Sequence, residues 1–294
     1  MTRLARFRQC NWMFPAWTTI VFIFLFAPIV TAVVYAFNKG VLGHQTARFT
    51  GFTTRWCATA VDDSTLRSTV WVSFRVAAAV AVISAVIGAI AGYTIARRRG
   101  RILGRMLEGL IYLLLIVPEI VIAVALLVFY TRVNVQLSLL TLIAAHTPFS
   151  IAVVSLIVRS RVAVLDRDIE EAAHDLGAGT IRTFWDVLLP QIRSAVLAGA
   201  ILAFTFSFDD LVISLFLSTP TVTTLPVYLF GSLHNGIRPD VFAIATMMLA
   251  VTLLLLAFAA IALRSRTRSG GSLVRALAAV ERAQDPVAAP TIPV

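Results

Sequence analysis

The sequence predicts an all-α integral membrane protein with six transmembrane helices and both termini in the cytoplasm. Three observations carry that prediction. Of 294 residues, 59% are hydrophobic and only 14% charged, where a soluble domain of this size carries about a quarter charged residues. Six apolar stretches reach the ~20 residues needed to cross a hydrocarbon core of about 30 Å. The basic residues fall mostly on one side of those stretches.

The six stretches are 16–37, 76–96, 109–130, 137–158, 194–217 and 241–263. The first is too long for the apolar region of a signal peptide and no convincing cleavage site follows it, so it reads as a retained helix. With the amino terminus inside, 18 of the 25 basic residues lie on cytoplasmic segments. They are Arg3, Arg6 and Arg8, the run from Arg97 to Arg105, five between Arg159 and Arg193, and five between Arg264 and Arg282. Lys39, Arg48, Arg55, Arg67, Arg132 and Arg238 lie outside, and Arg75 sits at the edge of the second span, placed to snorkel outward. This is the positive-inside pattern. The net charge of +10 is therefore a topology signal, with attraction to anionic lipid as its corollary, and calls for no nucleic-acid partner.

The expected layout is a cytoplasmic amino terminus (1–15), the first span (16–37) and an extracytoplasmic segment (38–69). A core of five further spans (70–264) follows, and then a basic, Pro/Ala-rich cytoplasmic tail (265–294). Within the extracytoplasmic segment, Gly51-Phe52-Thr53-Thr54-Arg55-Trp56 suits the headgroup level. In the tail, Ser272 is placed to cap a short helix, and the chain beyond Asp285 reads as disordered. Cys10 and Cys57 fall on opposite faces and cannot pair. The four histidines show no ligand spacing, and His146, inside the fourth span, is expected to hydrogen-bond a neighbouring helix. No cofactor or metal is called for. The single lysine, Lys39, is not in a P-loop, so the chain is not expected to be an enzyme and hydrolyses no ATP by that route.

The cytoplasmic loop 159–193 is the most informative segment. Asp168 and Glu171 stand at capping-box spacing. Ile169, Ala172, Ala173 and Leu176 share one small apolar face, and Gly177 suits a left-handed stop. Thr180 is placed to cap a second helix carrying Ile181, Phe184, Val187 and Leu188, which Pro190 closes. Two short helices at an angle, with alanines allowing close approach, are what docking on a partner requires. An amphipathic loop lying on the membrane surface is the plainer alternative.

Ionisable groups inside a membrane are costly and mark functional sites by default. Asp209 and Asp210 fall inside the fifth span, and Glu119 follows Pro118 in the third, where the proline opens the helix. These acids suit a cation path. Adjacent helical residues point about 100° apart, so Asp209 and Asp210 cannot both face one spot. For each, a structural role stands beside the path reading: capping a broken helix, pairing with an arginine, or, for Glu119, bracing the break. Trp71, Phe204, Phe206, Phe208 and Tyr228 offer faces for cation–π contact, or simply packing.

Taken together, these blocks resemble the permease subunits of bacterial spermidine/putrescine ABC importers. The resemblance runs from about Pro28 to Arg264. It rests on Tyr35-Ala36-Phe37-Asn38 with Gly51 to Trp56, on Pro118-Glu119-Ile120-Val121, and on the Glu171-Ala172-Ala173…Gly177…Leu189-Pro190 loop, which matches the EAA loop. Phe204 to Ile213 and Gly236-Ile237-Arg238-Pro239-Asp240 complete it. Glu119 stands where the family often has Asp, and Val187 where isoleucine is usual. The tail lies outside the resemblance.

The resemblance implies a type I ABC-importer permease in the bacterial inner membrane. It implies a cytoplasmic ATPase dimer docked through Glu171, Ala172, Ala173, Gly177, Leu189 and Pro190, a second permease of the same or a related chain, and an extracytoplasmic binding protein. The implied solute is a polyamine; another amine, an amino acid derivative or a ferric species fits the same architecture. An ion-coupled secondary transporter would need inverted repeats and its own coupling sites, and neither is visible.

Overall fold

The computed structural model describes residues 13–40, 49–97, 102–234, 241–254 and 256–257. The expected N-terminal arginines, most of the Arg97–Arg105 run, the Gly236 to Asp240 block and the tail from 265 lie outside those residues. Among them, helix dominates and β-structure is limited to two isolated bridges.

Four helices are long and apolar enough to cross a membrane: Phe14–Ala36 (α1), Ser64–Arg97 (α3), Leu139–Ala163 (α6) and Thr180–Asp209 (α8). The third expected span is broken at Val117 and Pro118 into Ile102–Ile116 (α4) and Glu119–Arg132 (α5), as the proline requires. The fifth ends at Asp209 and resumes as Val212–Leu217 (α9). The sixth is described only over Val241–Leu254 (α11), too short alone to cross. Short helices Arg55–Asp62 (α2), Asp168–Asp175 (α7) and Leu225–His234 (α10) complete the order.

In α1 almost every side chain is exposed. Thr18, Thr19 and Thr31 turn their hydroxyls back to the carbonyls four residues earlier, at 2.8, 2.7 and 2.7 Å, which satisfies them without water.

The chain forms two compact units. One comprises residues up to Val76, Glu119–Leu142 and Asp209–Thr252. Its best-defined joint is at the end of α1. There the buried Asn38 accepts from the Thr50 amide at 2.8 Å through its side chain, and its carbonyl accepts from Trp56 Nε1 at 2.9 Å. The Phe37 and Phe52 rings stack beside it. The described chain from Phe49 to Trp56 is thus folded back on the end of α1, and the two sequence blocks around Phe37 and Phe52 are halves of one knot. In the same unit Asp63 caps α3, accepting from the Thr65 and Leu66 amides at 2.8 and 3.2 Å. Ser73 of α3 accepts the first amide of α10, Leu225 N, at 2.8 Å.

The other unit comprises Ala77–Pro118, Ile143–Phe208 and the residues from Leu253. Its core gathers Ala89, Val154, Val158, Val162, Ile192 and Ala203 from α3, α6 and α8. Without a hydrophobic drive between helices in lipid, close packing through small residues holds them. A Cβ at Gly92 would lie 2.6 Å from the Ser155 carbonyl oxygen and 3.0 Å from the Arg159 nitrogen, both backbone atoms that cannot give way. Gly92→Val is expected to cost at least about 1–3 kcal/mol through overpacking. It should appear as aggregation on size-exclusion chromatography in mild detergent. Gly109→Ala, whose Cβ would meet nothing within 4 Å, should elute as the parent does.

Candidate functional site

Two sites emerge. The first is the loop between α6 and α8. The helix α7 begins at Asp168, but not through a capping box. Its cap residue is Arg167, no side chain caps it, and Asp166 Oδ1 accepts the Asp168 amide at 3.2 Å. Asp168, Glu170 and Glu171 instead occupy the first turn, where negative charge complements the helix dipole. The stop is as expected. Gly177 has φ 84°, and the amides of Gly177 and Ala178 bond the carbonyls of His174 and Ala173 at 2.8 and 3.0 Å. That is a Schellman turn, which places glycine at its left-handed position.

The second half corrects two expectations. Gly179, in extended conformation, precedes the next helix, and Thr180 is its first residue rather than its cap. Pro190 does not close that helix. The chain widens into a π turn over Thr183–Leu188, with the Leu189 amide reaching back to Phe184, and α8 runs on to Asp209. The wider turn spares the clash a proline ring makes with the carbonyl four residues back. Gln191 Nε2 supplies the Val187 carbonyl with a donor at 3.0 Å.

The loop turns a distinct face outward. Glu171, Ala172, Gly177 and Pro190 are exposed, and Ala173 is half-buried. Around them Leu176 is 89% exposed, with Ile181, Trp185, Ile169 and Val164 also open. Leu189 departs from the set, packing against the core cluster of its own unit.

Sequence reading missed what holds this loop. Glu170, beside Glu171, is only 9% exposed. Its carboxylate accepts from Arg97 Nε at 2.5 Å and Tyr93 Oη at 3.0 Å, both from the end of α3. Arg97 Nη2 also donates to the Leu165 carbonyl at 3.2 Å, and the Tyr93 ring meets Phe184, 5.5 Å between centroids. The legible signal was the doubled Glu: neighbours about 100° apart on a helix serve different faces. A second unforeseen group pairs Arg159 with Glu108 at 2.8 Å and with Tyr112 Oη at 3.1 Å.

The second site is acidic. Asp209 and Asp210 do not lie inside a continuous helix, as expected, but at its break. Asp209 is the last residue of α8, and Asp210 with Leu211 forms the gap before α9. Asp210 Oδ2 accepts the Ser214 amide at 2.9 Å, in the first turn of α9, and its side chain also hydrogen-bonds Glu119, the first residue of α5. Two helix breaks thus bring two carboxyl groups together, a paired oxygen site suited to an ammonium group. Asp209 turns elsewhere, toward Thr252 Oγ1 at 3.4 Å. The rings that precede it in the chain pair with each other or with α6: Phe204 stacks on Phe208, and Phe206 meets Phe149 edge-on. His146 Nδ1 lies 3.0 Å from Ser207 Oγ, the helix-to-helix bond expected of it.

The chain belongs to the family of binding-protein-dependent transport system inner membrane components, whose model matches residues 84–268. It is thus a membrane-spanning permease subunit of an ABC importer, in the inner membrane. It is 35% identical to the putrescine transport system permease protein PotI of Escherichia coli K12 over 234 residues, 78% of this chain and 82% of that one. It is 30% identical to the spermidine/putrescine transport system permease protein PotC of Shigella flexneri over 257 residues, 87% of this chain and 96% of the relative. Among solved structures, the fold matches a bacterial ABC transporter importing the polysaccharide alginate, with TM-score 0.70 and 13% identity, covering 90% of this chain and 99% of that one. It also matches the MetNI methionine ABC transporter, with TM-score 0.57 and 17% identity, covering 67% and 94%.

Proposed function

We propose that this chain forms half of the path by which an ATP-driven importer carries polyamines, putrescine or spermidine, into the cell. The observation that carries the reading is the meeting of Glu119 and Asp210 at two helix breaks. Irregular backbone at membrane depth is tolerated where it lines a cavity or is buried in protein, and a carboxyl pair replaces part of the hydration of a diammonium solute. Asp209 extends the acidic surface. The similarity to PotI and PotC supports the same solute class.

The energy enters from an ATPase dimer docked on the loop 159–193. Glu171, Ala172, Ala173, Gly177 and Pro190 with Leu176 form the contact face, and Leu189 supports it from within. A second permease completes the path and an extracytoplasmic binding protein delivers the solute. In this reading the chain crosses six times, with both termini and the loop in the cytoplasm and the segment 38–69 outside; the positive-inside distribution of Arg supports it.

The test is accumulation of labelled putrescine and spermidine by proteoliposomes holding the complex purified through a tag on this chain. Uptake should require ATP and the binding protein, and should be inhibited by unlabelled polyamine but not by a neutral sugar. Uptake of neither amine would overturn the solute assignment. Topology has its own check: Cys57 should react with a membrane-impermeant maleimide added to spheroplasts, and Cys10 only after permeabilisation. Reversed labelling would invert the orientation.

A further inference from the structure

We infer that Arg97, Glu170 and Tyr93 are the joint that makes the docking loop and the α3 helix move as one body, with Glu170 the positioning residue. The inference rests on the reading of that loop as the ATPase-docking element.

Three features distinguish the joint from ordinary loop packing. The first is burial. The Arg97 and Glu170 side chains are each 11% exposed, in a loop whose other acids (Asp166, Asp168, Glu171, Asp175 and Asp186) are exposed. Burying a charge pair is costly, and apolar residues of similar volume often hold as well or better, so a buried pair is weak evidence of stability. Direction is what it provides. Both oxygens of Glu170 are engaged, Oε1 by Arg97 and Oε2 by Tyr93, which fixes the position and rotation of α7 against the last turn of α3. Two donors one helical turn apart form a rigid fork.

The second feature is that the same two α3 residues reach other parts of the loop. Arg97 holds the Leu165 carbonyl just before α7. The Tyr93 ring lies against Phe184, inside the π turn after it. One helix end therefore grips the loop before, within and after α7. The third is the division of labour between neighbours: Glu170 faces its own chain while Glu171 is exposed, free for the partner. A displacement of α7 by the ATPase then reaches α3 without slack, and without the fork the loop can shift while α3 stays behind.

The test uses the tagged complex with its ATPase. Cys10 and Cys57 are replaced by serine and nitroxide labels are placed at Asp175→Cys on α7 and Ile90→Cys on α3, both exposed. Distances are measured by double electron–electron resonance without nucleotide and in the vanadate-trapped state. In the parental complex the label-to-label distance should be the same in both states. In Glu170→Gln, which keeps the shape and removes the charge, it should shift or broaden on trapping while the ATPase stays bound. Tyr93→Phe should give a smaller change of the same kind, and the exchange Arg97→Glu/Glu170→Arg should restore the single distance. A parental distance that changes on trapping, or a Glu170→Gln complex that keeps one distance, overturns the inference. So does loss of the ATPase from both Glu170→Gln and Tyr93→Phe, which would make the joint a folding brace. Failure of the docking reading shows separately, as a Gly177→Asp chain that keeps its ATPase.

Discussion

Gly177→Asp is expected to leave the permease inserted and folded and to strip it of its ATPase. The two halves of that expectation have different origins. Inside the chain the change is mild. A Cβ at Gly177 meets nothing within 4 Å, and an L-residue in the left-handed region costs roughly 1–2 kcal/mol, with Asp among the more tolerant residues there. The Schellman bonds from Gly177 and Ala178 remain available. At the proposed contact face the change is severe. Next to Leu176 and Ala172 it sets a branched, charged group where a docked ATPase would bring the two backbones close. Desolvating a charge without a partner costs several kcal/mol, and each 1.4 kcal/mol is about a factor of ten in affinity. The ATPase should fall below detection in a co-purification that recovers the permease at its parental yield. Full retention of the ATPase would remove the docking assignment.

The acids give the second large effect. Asp210→Asn keeps an oxygen for the Ser214 amide and a partner for Glu119, so the first turn of α9 keeps its bond while the pair loses one of its two carboxyl groups. An ammonium about 4 Å from a carboxylate gains up to about 4 kcal/mol at an effective dielectric of about 20. Losing even a third of that lowers passage about tenfold. Asp210→Asn and Asp209→Asn are expected to differ in severity. At least one should reduce putrescine uptake to about a tenth or less at unchanged ATP hydrolysis. Glu119→Gln should do less, since Glu119 also opens α5 and keeps its hydrogen bond to Asp210 as an amide. Parental uptake by both Asp→Asn variants would exclude the acidic path.

The sequence made some of this plain and hid the rest for physical reasons. Composition and length located the long spans because the bilayer sets both. The break at Pro118 and the left-handed Gly177 were legible because each depends on one residue's backbone. Pro190 misled, because a proline forbids a regular α-helical turn but not a widened one. The Asp209–Asp210 break carries no proline or glycine. Asp210 holds the Ser214 amide in the first turn of α9 and meets Glu119 from a distant part of the chain, which no local pattern records. Glu170 was hidden by its neighbour, since the motif reads Glu171 and is silent on which face the loop shows its own protein. The two blocks joined by Asn38 and Trp56 stood out by resemblance alone, and their hydrogen bonds give the reason.

Photo-crosslinking in native membranes tests whether the face around Leu176 docks an ATPase. A benzoylphenylalanine placed at Leu176, the most exposed apolar side chain of the loop, is irradiated in whole cells, and the adducts are identified by mass spectrometry after purification through a tag on this chain. The expected product is an adduct with a cytoplasmic ABC ATPase, lost when Gly177→Asp is added. Adducts with lipid alone, or with a protein of the opposite face, would contradict the account.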